Sequence, residues 1–172
     1  MGIKTNAVAG DYDDARPHIL LPIPKVTGMT LIKGDLVLVD TSTDPFTFKK
    51  HTAAALHKGP GGLVVEDPTN PGDLNFSCLL NGFGVCRVEG AATQPFTELQ
   101  FSDTNVNHLE PFVRTNLGAA YAEAEQEAAQ DDRLRIIGLL MGKTGEMSGG
   151  TQSKITAATG QLAIVHFGGQ WF

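Results

Sequence analysis

The chain has 172 residues, a formal net charge of -6 and 41% hydrophobic residues. This length favours one domain with a real core, and the hydrophobic content excludes a globally disordered chain. The acidic balance, with no cluster of Lys and Arg, argues against direct binding of nucleic acid. The apolar runs are too short for a membrane helix and no secretion signal is evident, so we expect synthesis in a reducing cytoplasm and no membrane partner.

The first part of the chain, residues 1–30, is rich in proline. Pro17, Pro22 and Pro24 lie within eight residues of one another, which forbids a helix and favours an extended segment. We therefore predict an extended N-terminal arm over 1–30, which the prolines keep out of the core sheet. A chain that lacks residues 1–25 is expected to keep its β core and to lose contacts with a neighbouring protein.

Residues 31–90 show short β-branched runs separated by Gly, Pro, Asn and Asp about every ten residues, which is typical of a small all-β barrel or sandwich. The run from Leu36 to Asp40 is apolar on both faces of a strand, which predicts burial on both faces. Residues 68–73 predict a turn, and Asn81-Gly82 predicts a tight hairpin turn. Further strands are predicted at 46–48, 63–66, 74–80 and 85–89.

Two cysteines flank the predicted hairpin. A two-residue turn places Cys78 and Cys86 on opposite sides of the sheet, whereas a three-residue loop places them opposite each other. The spacing leaves both arrangements open. The simplest interpretation is two buried thiols that behave as small apolar side chains.

The second half of the chain predicts one helix and more strands. Asn116 is suited to cap a helix over about 116–130, in which Leu117, Tyr121 and alanines form a narrow apolar stripe and three glutamates line the rest. This helix is either a cover for one open end of the β core or a subunit contact. Strands are predicted at 96–101, 134–141 and 161–167. The predicted organisation is an arm over 1–30 and a single β-rich domain over 31–172 with a helical insertion.

Motifs for catalysis are weak. Gly142-Lys143-Thr144 resembles the end of a phosphate-binding loop, but the glycine that should precede it is one position too close. No Gly-x-Ser-x-Gly elbow is present, and the five histidines are scattered rather than spaced as metal ligands. We therefore expect no enzyme, no catalytic residues, no cofactor and no metal site.

The β-rich segments resemble those of a known family. The runs Gly34-Asp35-Leu36-Val37-Leu38-Val39-Asp40, Gly61-Gly62-Leu63-Val64-Val65-Glu66-Asp67 and Gly84-Val85-Cys86-Arg87-Val88 are similar to the small β-barrel capsid decoration, or cement, proteins of tailed bacteriophages. The closing run Gln161-Leu162-Ala163-Ile164-Val165-His166-Phe167 resembles the last core strand of that family. The resemblance covers residues 34–90 and 134–167, and the proline-rich start and the Ala/Glu helix depart from it.

The resemblance implies a structural virion protein on the capsid exterior, which binds the assembled capsid and bridges neighbouring major capsid subunits. It implies no catalytic residues. We expect a homo-oligomer, with a trimer favoured, because short strands and Gly-rich edges need cover. Two alternatives stay open: a tail, fibre or baseplate module of a phage, and a trimeric all-β enzyme with its site between subunits. The expected capsid or subunit contacts are Pro17, Ile19, Leu21, Pro22, Ile23, Pro24, Trp171 and Phe172.

Overall fold

A computed structural model describes residues 7–26, 28–40, 47–53, 59–66, 75–93, 95–113, 127, 130, 132–143 and 155–168. This part of the chain is mainly β, as the sequence predicts, and it contains nine strands. In chain order they are β1 (Ile19–Pro24), β2 (Leu36–Asp40), β3 (Thr47–Lys50), β4 (Gly61–Val64), β5 (Asn75–Thr93), β6 (Glu98–Phe101), β7 (His108–Pro111), β8 (Gly138–Lys143) and β9 (Ile155–Phe167).

The long strand β5 belongs to both halves of the fold. Its first part pairs with β1 and β4, and β4 continues through β2 to β3. We call this sheet, in the order β3-β2-β4-β5-β1, the open sheet, because its end strands meet only at one bridge between Lys25 and Phe48. Its second part pairs with β9 and, in parallel, with β7. Because β6 joins β7 to β8 and β8 pairs with β9, five strands close into a barrel. The predicted β-barrel class is confirmed.

The predicted hairpin at Asn81-Gly82 is wrong. Both residues lie inside β5, at the point where the strand leaves β1 and starts to pair with β9. Gly82 has a φ of 123°, a backbone conformation that residues other than glycine rarely adopt. An added Cβ would also lie 2.8 Å from the Cβ of His18. The glycine thus lets one strand bend between two sheets, whereas the same dipeptide usually reverses the chain.

The largest core cluster extends from the barrel interior to one face of the open sheet. Phe167, Leu99 and Leu140 fill the barrel and are fully buried, and Leu36 and Leu63 continue the same cluster on β2 and β4. Burial of each such side chain contributes about 1.5–3 kcal/mol. The two halves therefore share one core.

A second core cluster lies on the opposite face of the open sheet. It contains Ile23, Val37, Phe76 and Cys78, with Leu31 and Val64 beside them. Because Leu36 and Leu38 belong to the first cluster and Val37 to the second, β2 is buried on both faces. The prediction made from the run Leu36–Asp40 is thus confirmed.

Two predicted appendages are not confirmed. The extended arm includes β1, which pairs with β5 along its length, so the prolines do not keep this segment out of the core sheet. The Ala/Glu-rich helix at about 116–130 falls almost wholly outside the described residues, which include only Glu127 and Gln130 of that range. The predicted turn at 68–73 also lies outside them.

Candidate contact surface

Strand β1 carries most of the residues that the sequence predicts as contacts. Pro22 and Pro24 lie within it, which is unusual, because proline has no N–H to give to a ladder and is confined to edge strands. β1 is such an edge strand: among the described residues it pairs along its length only with β5, and it meets β3 through a single bridge from Lys25 to Phe48. The strand is therefore compatible with its prolines.

The structure divides the predicted contact residues into buried and exposed ones. Ile23 is 5% exposed and packs in the second core cluster, so it is a core residue and is not available to a partner. Ile19 and Leu21 are 36% and 44% exposed. Pro17, Pro22 and Pro24 are also exposed. Trp171 and Phe172 lie outside the described residues.

The exposed members lie in an apolar strip in and just before β1, where Ile19 and Leu21 lie on one face of the strand and Pro22 and Pro24 on the other, because successive residues of a strand alternate. We define this strip as Pro17, Ile19, Leu21, Pro22 and Pro24. Its side chains have no titratable groups, so they offer contact area and not acid–base chemistry. Burying what remains exposed of Ile19 and Leu21 in a complex would contribute about 1 kcal/mol for each side chain.

The segment before β1 is attached to the barrel half of β5. The N–H groups of Gly10 and Asp13 donate to the carbonyls of Val85 and Phe83, each at 2.8 Å. Ala7 is buried in a third apolar cluster with Val85. The N-terminal segment therefore contacts both halves of β5, before and after the bend at Gly82.

A small group of aromatic and charged side chains reinforces this attachment. The Arg16 guanidinium lies 4.6 Å from the centroid of the Phe83 ring, and the Arg16 Nε lies 3.2 Å from a carboxylate oxygen of Asp13. The ring of His166 on β9 lies 4.8 Å from the same Phe83 ring. Burial lowers the pKa of His166 below its ordinary value of 6.5, because the charged imidazolium loses water there.

A buried polar network joins the open sheet to the loop between β6 and β7. His51 is fully buried, its Nδ1 accepts the Asn107 N–H at 3.1 Å, and its Nε2 donates to the Ser102 carbonyl at 2.9 Å. The ring also stacks on Phe101, with centroids 5.0 Å apart. Because both ring nitrogens bond to backbone groups of this loop, His51 fixes the loop in place.

Asp35 extends the same network. Its carboxylate accepts from Asn107 Nδ2 at 2.6 Å and lies 2.7 Å from the Lys50 ammonium. Asn107 has a φ of 58°, which asparagine tolerates better than most residues. The Ser102 hydroxyl donates to Glu89 and not to His51, so these residues do not form a nucleophile–base pair. No local sequence pattern predicts this network, because its members come from four separate segments.

The two cysteines are buried, as the simplest interpretation predicts. Cys78 belongs to the second core cluster and Cys86 to the first, so they lie on opposite faces of β5 and are both free thiols. Burial raises the pKa of both thiols, which keeps them protonated and unreactive at neutral pH. They act as small apolar side chains.

Other exposed apolar residues were missed by the sequence reasoning. Phe96 is 66% exposed and has a φ of 64°, although the sequence predicts it as the first residue of a strand. Its N–H donates to the Leu140 carbonyl at 2.6 Å, which holds the turn before β6. Val113 is 70% exposed after the end of β7. The alternating pattern from Phe96 to Phe101 gives no sign of the left-handed residue.

The described residues hold no group of three or more His, Cys, Asp or Glu side chains placed to bind a metal ion. A search of the same residues for a helix with the length and apolarity needed to cross a membrane also finds none.

Comparison with known proteins identifies no relative. No family model matches the chain, and neither a curated protein nor a solved structure matches it.

Proposed function

We propose that this protein is a structural virion protein that binds the outer surface of a phage capsid and bridges and stabilises the major capsid subunits. The resemblance of residues 34–90 and 134–167 to capsid decoration proteins motivates the proposal. The observation that carries it is the strip of exposed apolar residues on β1, held on a rigid β scaffold.

The scaffold suits a clamp on a large assembly. The barrel is closed by β5, β7, β6, β8 and β9, and the largest core cluster continues into the open sheet. A surface held by such a core loses little conformational entropy when it binds, so more of its contact energy remains as affinity. Because many copies bind one capsid, a modest binding free energy for each copy sums to a large stabilisation of the capsid.

The polar groups of the described residues also fit a structural role. The Asp35, Lys50, His51 and Asn107 side chains bind one another or the backbone of a neighbouring segment. They fix a loop and leave the exposed surface of β1 to apolar groups. We propose the major capsid protein as the partner, and a homo-oligomer, with a trimer favoured, as the form that bridges its subunits.

Thermal stability of the capsid tests this proposal. A protein that binds the mature, expanded shell and not the free subunits stabilises the shell by mass action. Mature capsids that lack the protein should therefore melt at a lower temperature than the same capsids saturated with it. Equal melting temperatures at full occupancy would overturn the stabilising role.

A further inference from the structure

The dipeptide Asn81-Gly82 is chemically reactive in a flexible chain. Its reaction starts when the backbone nitrogen of Gly82 attacks the Asn81 Cγ, an approach that is easy because glycine has no side chain. The Cγ–Nδ2 bond then breaks, and Nδ2 leaves as ammonia with the proton of the Gly82 N–H. Water opens the resulting succinimide ring at either carbonyl carbon, and residue 81 becomes aspartate or isoaspartate.

The fold holds both residues in strand ladders. Asn81 lies opposite Ile19 of β1, and Gly82 lies opposite Phe167 of β9. Ring closure brings the Gly82 nitrogen next to the Asn81 Cβ, whereas in an extended strand this nitrogen is rotated away from the side chain. The rotation about the Asn81 Cα–C bond that closes the ring would therefore break the pairing of β5 with β1 or with β9.

The side chain of Asn81 is also held in place. It packs against Gly168, just after the end of β9, where an added Cβ would lie 2.5 Å from Asn81 Nδ2 and 2.9 Å from Asn81 Cγ. The amide thus occupies the space that a side chain at residue 168 would need. Gly82 is buried as well, so the water that opens the ring has little access to it while the protein is folded.

We propose that Asn81 is a deamidation site that folding protects, so that the modification forms in chains that are unfolded or whose β5 has detached at the bend. Isoaspartate adds a carbon to the main chain, so residues 81 and 82 can no longer both keep their partners Ile19 and Phe167. Aspartate instead places a negative charge in a half-buried site. A chain modified while unfolded is therefore less stable when it refolds, whatever its partner.

The rate of deamidation in the folded and the unfolded protein tests the protection. The full-length protein is incubated at neutral pH in buffer and, at the same pH and temperature, in denaturing guanidinium chloride. Mass spectrometry of the peptide that contains Asn81 then measures the fraction of aspartate and isoaspartate over time. The reaction should be at least about tenfold slower in the folded protein, because it must wait for local opening. A smaller difference would overturn the protection, and no reaction in the denatured chain would overturn the site.

A matched pair of variants tests the effect of the modification on the fold. Asn81→Asp reproduces one product and should lower the melting temperature by at least about 4 °C or prevent folding. Asn75→Asp, at the exposed first residue of the same strand, is the control and should melt as the wild type does. Equal melting temperatures for the two variants would overturn the destabilising effect. These experiments use the protein without capsids, so their outcome is independent of whether capsid binding is found.

Discussion

The two halves of β5 differ in whether the strands around them close into a ring. The barrel half, where Val85 and Val88 lie, is enclosed by strands that pair in a ring, so it has no free edge. The half that includes Phe76 and Cys78 belongs to an open sheet that ends at β1, and there Ile19 and Leu21 stay exposed. On the proposed function, the barrel provides rigidity and the open sheet provides the surface for contact.

Removal of the N-terminal segment is expected to have the largest effect on stability, because it takes away an end strand of the open sheet. A chain that lacks residues 1–25 loses all of β1 and the backbone bonds of Gly10 and Asp13 to β5. We expect it to be unfolded, contrary to the expectation from the proline pattern, because the loss exposes Phe76 and Cys78. Circular dichroism of the truncated protein checks this, and a cooperative thermal transition close to that of the wild type would contradict it.

A matched pair of substitutions on β1 separates the core role of the strand from its contact role. Ile23→Ala removes a buried side chain and should lower the free energy of unfolding by about 2–4 kcal/mol. Ile19→Ala, on the same strand but 36% exposed, should lower it by less than about 1 kcal/mol. Denaturant titration measures both values. Similar losses for the two variants would show that burial does not distinguish these positions.

His51→Ala tests the link between the open sheet and the barrel. The change leaves the Asn107 N–H and the Ser102 carbonyl without their partner in a buried site, and it removes the ring that stacks on Phe101. We expect a loss of about 2–3 kcal/mol in the free energy of unfolding. His18→Ala, closer to the surface, should cost less than about 1 kcal/mol. An equal effect of the two substitutions in denaturant titration would contradict the role of the network.

The smallest expected effect concerns pH. Burial lowers the pKa of His166 in the folded state below the ordinary value of 6.5, so the unfolded chain binds this proton more readily. The resulting stability is fully present above pH 6.5 and is lost as the pH falls through the lower pKa of the folded state. His166→Gln should therefore flatten the decline of the melting temperature between neutral and mildly acidic pH. If the melting temperature of the variant declines as it does in the wild type, groups other than His166 cause the decline.

The sequence predicts the parts of this fold that depend on local pattern. The buried strand Leu36–Asp40 and the last strand around Ala163 and Val165 follow from runs of β-branched and apolar residues, and both are present. Turn chemistry was less informative at Asn81-Gly82, because a glycine with positive φ serves a bend within one strand as well as a hairpin. The prediction that the prolines keep this segment out of the core sheet was wrong, because an end strand of a sheet accepts proline.

The sequence shows which residues make up the candidate surface but not which of them are exposed. The sequence predicts a contact region in the proline-rich segment, which stays a prediction, and only the structure shows that Ile23 is buried while Ile19 and Leu21 are exposed. The network around His51 depends on residues far apart in the chain, so no local pattern reveals it. The left-handed conformation of Phe96 likewise depends on its bond to Leu140.

The central claim, that the apolar strip on β1 binds the capsid, is tested most directly by co-sedimentation of purified protein with mature capsids. Leu21→Glu places a charge in the strip and should raise the apparent Kd by about thirtyfold, which corresponds to about 2 kcal/mol. Ile32→Glu, at an exposed isoleucine in the loop before β2, is the matched control and should bind as the wild type does. Equal binding by the Leu21 variant, or no binding by the wild type, would contradict the account.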